Sequence, residues 1–185
     1  MLENFVEKVK GFLMSPTETF QDSRDNGFGK AFVYCLATLV IYAALNSALI
    51  AFGFANFAGI SLGLADAGVA FIGIMIGSIL GIFIAAILMH IFVVIVGGRK
   101  GIEQTFKVVF YAMTPGFLFG WIPVIGIIAN LWSLVLEVIG IRELHEISTA
   151  RAVLAVLLPL IILIILVLLA VAYFTVGTVT SAMQL

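Results

Sequence analysis

Residues 108–141 read VVFYAMTPGFLFGWIPVIGIIANLWSLVLEVIGI. How often this stretch crosses a bilayer decides the fold. As one straight helix it would measure roughly 50 Å, against a hydrocarbon core of about 30 Å. Near its middle stands Gly120-Trp121-Ile122-Pro123. Pro123 has no amide donor and clashes with the turn before it. Gly120 and Gly126 loosen the backbone, and Trp121 prefers the membrane interface. The stretch therefore reads as a tight hairpin of two helices, 106–120 and 122–141. At about 22 Å the first arm is shorter than the core is thick.

Working outward, the charges test this reading. The chain has 185 residues and nine Lys and Arg, confined to three segments. These are Lys8, Lys10, Arg24 and Lys30; then Arg99, Lys100 and Lys107; then Arg142 and Arg151. Residues 31–65, 67–98, 108–136 and 152–185 are uncharged. With 63% hydrophobic and 10% charged residues, the composition lies far from the roughly 25% charge of soluble domains. The chain reads as an all-α membrane protein. Its spans fall at about 31–54, 69–96, 106–120, 122–141 and 152–176. Five spans put all nine cations on one side, whereas four spans divide them seven to two. The positive-inside rule selects five, with the N-terminus cytoplasmic and the C-terminus outside.

Two units follow: a cytoplasmic amphipathic segment over 1–30 and a five-span transmembrane domain over 31–185. In the first, Phe5, Val9, Phe12 and Leu13 share one face of a short helix. That face suits either the cytoplasmic leaflet or packing on the same chain. Ser15-Pro16-Thr17-Glu18 predicts a second helix, with Ser15 as N-cap, Pro16 at the first position and Glu18 as the reciprocal cap. Asn26-Gly27 and Gly29 make the turn into the first span. The start of the chain has no compact apolar core ahead of a small-residue cleavage site. The first span is therefore expected to serve as the targeting signal.

Polar groups inside hydrocarbon need a reason. Glu137 lies about 7 Å and His90 about 13 Å from the cytoplasmic boundary, both in the same half of the bilayer. With Asn130 they form an intramembrane polar set. It is either a proton- or cation-sensitive site, a lipid-head anchor, or a structural set in which Glu137 pairs with Arg142 or another base. Asn46, Ser47, Tyr111 and Thr114 read as interhelical hydrogen-bonding groups. Gly73, Gly77 and Gly81 form a small-residue strip for helix packing, chiefly within the chain, with a second copy as the other candidate. Arg99, Lys100, Arg142, Glu143, His145 and Arg151 are candidates for contact with a cytoplasmic protein or an anionic lipid head.

Several chemistries find no support. The near-zero net charge points to no nucleic acid. The single cysteine, Cys35, excludes an intrachain disulfide and a cysteine metal cage. Glu143, His145 and Glu146 lack a second ligand cluster, so no metal or cofactor is expected. No hydrolase or protease motif occurs, and the chain is not expected to be an enzyme.

Several motifs stand together in order. Ser15-Pro16-Thr17-Glu18-Thr19-Phe20 precedes the first span. Gly97-Gly98-Arg99-Lys100-Gly101 with Gln104-Thr105-Phe106 precedes the third. Tyr111-Ala112-x-x-Pro115, Ile122-Pro123-x-x-Gly126, Trp132 and Gly140-Ile141-Arg142-Glu143-Leu144-His145 follow. Together they resemble the Yip (Ypt/Rab-interacting protein) family in its short prokaryotic form. The resemblance implies five spans, a cytosolic N-terminus and residence in a prokaryotic plasma membrane. Eukaryotic members are linked to small GTPases and vesicle traffic and usually carry a longer N-terminal region. The expected role is to organise membrane or recruit partners through the cytoplasmic face. The alternative is translocation of lipid or a small solute past a polar cluster near His90 and Glu137.

Overall fold

The computed structural model describes residues 2–54, 56–57, 60–61 and 63–183. Among them the regular structure is helical, apart from one two-residue ladder. The elements are α1 (Leu2–Met14), α2 (Pro16–Asp22), α3 (Phe28–Ala51), β1 (Asn56–Phe57), β2 (Ile60–Ser61), α4 (Leu64–Ile95), α5 (Ile102–Ala112), α6 (Thr114–Phe119), α7 (Ile125–His145) and α8 (Thr149–Met183). Four of these, α3, α4, α7 and the Thr149–Thr175 part of α8, are long and apolar enough to cross a membrane. The antiparallel β1–β2 pair lies between α3 and α4; residues 55, 58–59 and 62 of that loop lie outside the described residues.

The expected single helix over 106–120 starts earlier, at Ile102, and breaks at Met113. The cause is Pro115, which has no N–H to give to the Tyr111 carbonyl one turn back. The Thr114 hydroxyl supplies the missing bond, 2.6 Å to that oxygen. Its only proton is then committed, so the Tyr34 hydroxyl donates to Thr114 across 3.0 Å. The turn after α6 falls over 120–124, where Trp121 and Pro123 place it. Pro123 C=O accepts from Ile125 N–H at 2.8 Å. Val124 sits at φ 66, ψ −54, the strained γ-turn geometry. Gly126 lets α7 start directly against this turn: a Cβ there would lie 2.6 Å from the Gly120 carbonyl.

Helix α2 begins at Pro16 as expected, but Ser15 makes no side-chain cap. Its N–H closes α1 by bonding Gly11 C=O at 2.8 Å, and its own carbonyl accepts from Thr19. The two helices thus share one residue and fold back on each other. The apolar face of α1 turns onto the chain itself. Phe12 is fully buried, 4.7 Å from the Tyr111 ring and 4.9 Å from Phe20. Phe20 in turn lies over Gly140 of α7, where a Cβ would come within 2.8 Å of its ring. A second aromatic group, Phe28, Phe32, Phe83, Phe106 and Phe110, joins α3, α4 and α5.

Among the described residues nothing packs against the strip Gly73, Gly77 and Gly81. A Cβ at any of the three would meet no atom within 4 Å. The intramolecular role expected of it is therefore not what the fold uses: α4 turns that face outward.

Candidate functional site

The three basic segments meet at one end of the helices. Arg24 Nη1 lies 2.9 Å from Glu146 Oε1, and Lys100 pairs with the other oxygen of the same carboxylate. Glu146 caps α7 in the left-handed region at φ 54, ψ 44. The Lys100 ammonium first, and Arg24 after it, hold its carboxyl below the ordinary carboxylate range. Arg142 pairs with Glu143 at 2.6 Å, and Gln21 donates to Glu143 at 2.8 Å. Arg142 also reaches Thr17 at 3.4 Å. The N-terminal helices are thereby tied to the last turn of α7. Residues 142–145, beyond the expected end of the fourth span at 141, belong to that helix because Ile141 and Leu144 are buried beneath it.

Of the six candidates at this end, Arg99 and Arg151 are exposed and, among the described residues, have no ion pair. Lys100, Arg142 and Glu143 are engaged within the chain. His145 is buried, 2% exposed. Its Nε2 lies 3.0 Å from the Thr105 hydroxyl, which lies 2.8 Å from His90 Nδ1. One threonine therefore joins both histidines of the protein and locks α4, α5 and α7 together. His145 Nδ1 is buried without a hydrogen-bond partner, and a Cβ on Gly98 would come within 3.2 Å of it. A bare lone pair there is tolerated better than an orphaned N–H. The arrangement assigns the proton to His145 Nε2, which donates to Thr105, which donates to His90.

His90 thus belongs to this bridge and not to a set with Glu137. Glu137 and Asn130 lie elsewhere, on a groove of about 440 Å³ between α7 and the α5–α6 break, with Ser133 between them in the helix. Asn130 Nδ2 donates to Gly126 C=O at 2.7 Å, and Ser133 Oγ accepts from Gly116 N–H at 3.3 Å. Glu137 is 7% exposed.

Three residues carry structural work that sequence reasoning misses. Lys107 is buried, its ammonium donating to the carbonyls of Arg24 at 2.5 Å and Asn26 at 2.9 Å. Glu103 accepts from Phe28 N–H at 3.0 Å and so caps α3. Lys8 is half-buried over the Tyr111 ring at 4.7 Å. Burial, and then Lys30, push its ammonium below the ordinary lysine range. Among the described residues no group of three His, Cys, Asp or Glu side chains could hold a metal ion.

Four apolar spans with a basic end knitted by an N-terminal helix pair define a multi-pass helical membrane protein. A family model, the Yip1 domain, matches residues 10–171, and the chain belongs to that family. Comparison with the curated proteins and with the solved structures gives no match.

Proposed function

We propose that this Yip1-domain protein crosses the membrane five times, with its basic end cytoplasmic. It is non-enzymatic and uses that end to organise membrane or recruit an acidic partner. The supporting observation is the convergence of all three basic segments on one end, with Arg99 and Arg151 left free of ion pairs among the described residues. The Lys100–Glu146 pair brackets residues 102–145, so that stretch leaves this end and returns to it. Stacked end to end, α5 and α6 cover about 27 Å, close to the core thickness. A basic face on the inner leaflet attracts anionic head groups or acidic protein segments. The membrane proposed for it is a prokaryotic plasma membrane.

Photocrosslinking at positions 99 and 151 in intact cells tests the reading. Adducts on cytoplasmic protein or anionic lipid are expected, and Arg99→Gln with Arg151→Gln should remove them from neighbouring crosslink positions at equal expression. Unchanged recovery in the double variant, or labelling from the outer side, overturns it. The alternative is translocation of lipid or a small solute near Glu137, with His90 held apart on the Thr105 bridge.

A further inference from the structure

Glu137 is buried, with 7% of its surface exposed, yet has no hydrogen bond or ion pair among the described residues. Its expected partner Arg142 is taken by Glu143 and Thr17. The buried base Lys107 is taken by two backbone carbonyls. A carboxyl in an apolar setting is costly without a partner. It lines the groove walled by Met113, Ile127 and Leu131. The groove opens sideways, with Ile127 67% and Leu131 58% exposed, so its mouth faces the hydrocarbon.

The polar atoms that remain free in the groove offer an acceptor and a donor beside the Glu137 carboxyl. Asn130 has committed its NH2 to Gly126, which leaves its Oδ1 as an acceptor. Ser133 already accepts from Gly116, so its own proton is free. Residues 130, 133 and 137 follow one face of α7. Glu137 is the member nearest the basic end, about 7 Å from Arg142 along the axis, and Ile127 lies about 15 Å deeper. Polarity therefore falls from the head-group level toward the middle of the bilayer.

We infer that this groove binds a membrane lipid with a primary ammonium head group. The ammonium donates to Glu137, Ser133 donates to an ester carbonyl, and an acyl chain lies along Ile127 and Leu131. The occupant is a lipid because the mouth opens to hydrocarbon and because the order of polarity matches a lipid standing in the leaflet of the basic end. A trimethylammonium head has no N–H to donate and is a poor substitute.

Full-length protein is placed in nanodiscs of phosphatidylcholine doped with phosphatidylethanolamine or phosphatidylglycerol. Lipid retained after mild detergent extraction is then counted by native mass spectrometry. Wild type should retain phosphatidylethanolamine at least tenfold over either other lipid, and Glu137→Gln should abolish that preference. Leu131→Trp, which fills the groove and keeps the carboxylate, should abolish it too; this variant decides the matter if Glu137→Gln does not fold. Dodecylamine should compete with the bound lipid. Equal retention of the three lipids by wild type, or an unchanged preference in folded Leu131→Trp, overturns the inference. So does binding of dodecylamine with no retained phosphatidylethanolamine, which would make the ligand a free amine. None of these outcomes depends on Arg99 or Arg151, so they stand apart from the test of the basic end.

Discussion

Thr105→Val removes one oxygen atom and should cost this protein about 2–4 kcal/mol. The volume is nearly unchanged and the position is fully buried, so no cavity contributes. The loss comes from two hydrogen bonds, to His90 at 2.8 Å and His145 at 3.0 Å. Each is worth about 1 kcal/mol net. His145 Nε2–H is then left without an acceptor at a site 2% exposed, which adds about 1–3 kcal/mol. His90 is only partly buried and recovers some of its loss from outside. At about 2–4 °C per kcal/mol for a chain of this size, the thermal midpoint in a mild detergent should fall by roughly 10 °C. Thr105→Ser keeps the hydroxyl and should cost under about 1 kcal/mol. A cycle of Thr105→Val with His145→Ala should be non-additive by about 1 kcal/mol or more. If Thr105→Val is no worse than Thr105→Ser, or the cycle is additive, the hydroxyl is not the bridge.

Three further outcomes follow from local geometry. Gly140→Ala places a Cβ 2.8 Å from two Phe20 ring atoms and Val108 Cγ1; it should cost about 1–3 kcal/mol and raise amide exchange in α2, and unchanged α2 protection would contradict the packing. Val124→Gly relieves a β-branched residue at φ 66 and should gain about 1 kcal/mol net of the glycine entropy, read as a higher thermal midpoint; a lower one would reject the γ-turn. The Glu146 carboxyl is depressed below its ordinary value by Lys100 and Arg24, so its contribution is present above the ordinary carboxylate pKa and fades as pH falls through the lower folded value. Proteolysis of the residue 22–28 segment should therefore rise as pH falls below the ordinary carboxylate range, less steeply in Glu146→Gln and less in high salt; identical acid profiles would refute this.

The apolar spans are legible in the sequence because charge is costly in hydrocarbon, so uncharged runs mark them directly. The turn at 120–124 is legible for the same kind of local reason, Pro123 and Trp121 together. What escapes is non-local. Thr114-Pro115 carries the signal for the break at Met113, but Tyr34, 80 residues away, completes the repair. Lys107 reads as an orientation charge, and nothing near it in sequence says that its ammonium closes the 24–26 turn. His145 stands among charges and reads as solvated. Its helix carries it inward because Ile141 and Leu144, one turn behind and beside it, are core residues. Glu137 has Arg142 as its nearest base in sequence, five residues on. The neighbouring Glu143 competes more successfully, since Gln21 and Arg142 both reach it.

The basic end therefore contains two kinds of cation, and the difference governs how its chemistry can be probed. Arg24 and Arg142 hold the N-terminal helices against α7 through Glu146, Glu143 and Thr17, Lys100 ties the α4–α5 turn to Glu146, and Lys107 holds the 24–26 turn to α5 through backbone carbonyls. An incoming anion gains little from these groups, because it would have to displace a carboxylate already in place or unseat a turn. Arg99 and Arg151 carry no such duty, and the approach of the Arg151 guanidinium to Gly97, 3.5 Å from where a Cβ would stand, puts it beside the basic turn. Neutralising all the charges together would mix opening of the N-terminal clamp with failure to bind. Neutralising Arg99 and Arg151 alone separates them: a binding role predicts that the partner no longer crosslinks while the thermal midpoint stays unchanged. Lys100→Gln predicts the reverse order, a looser turn between α4 and α5 first, and weaker partner binding only as far as Glu146 is released.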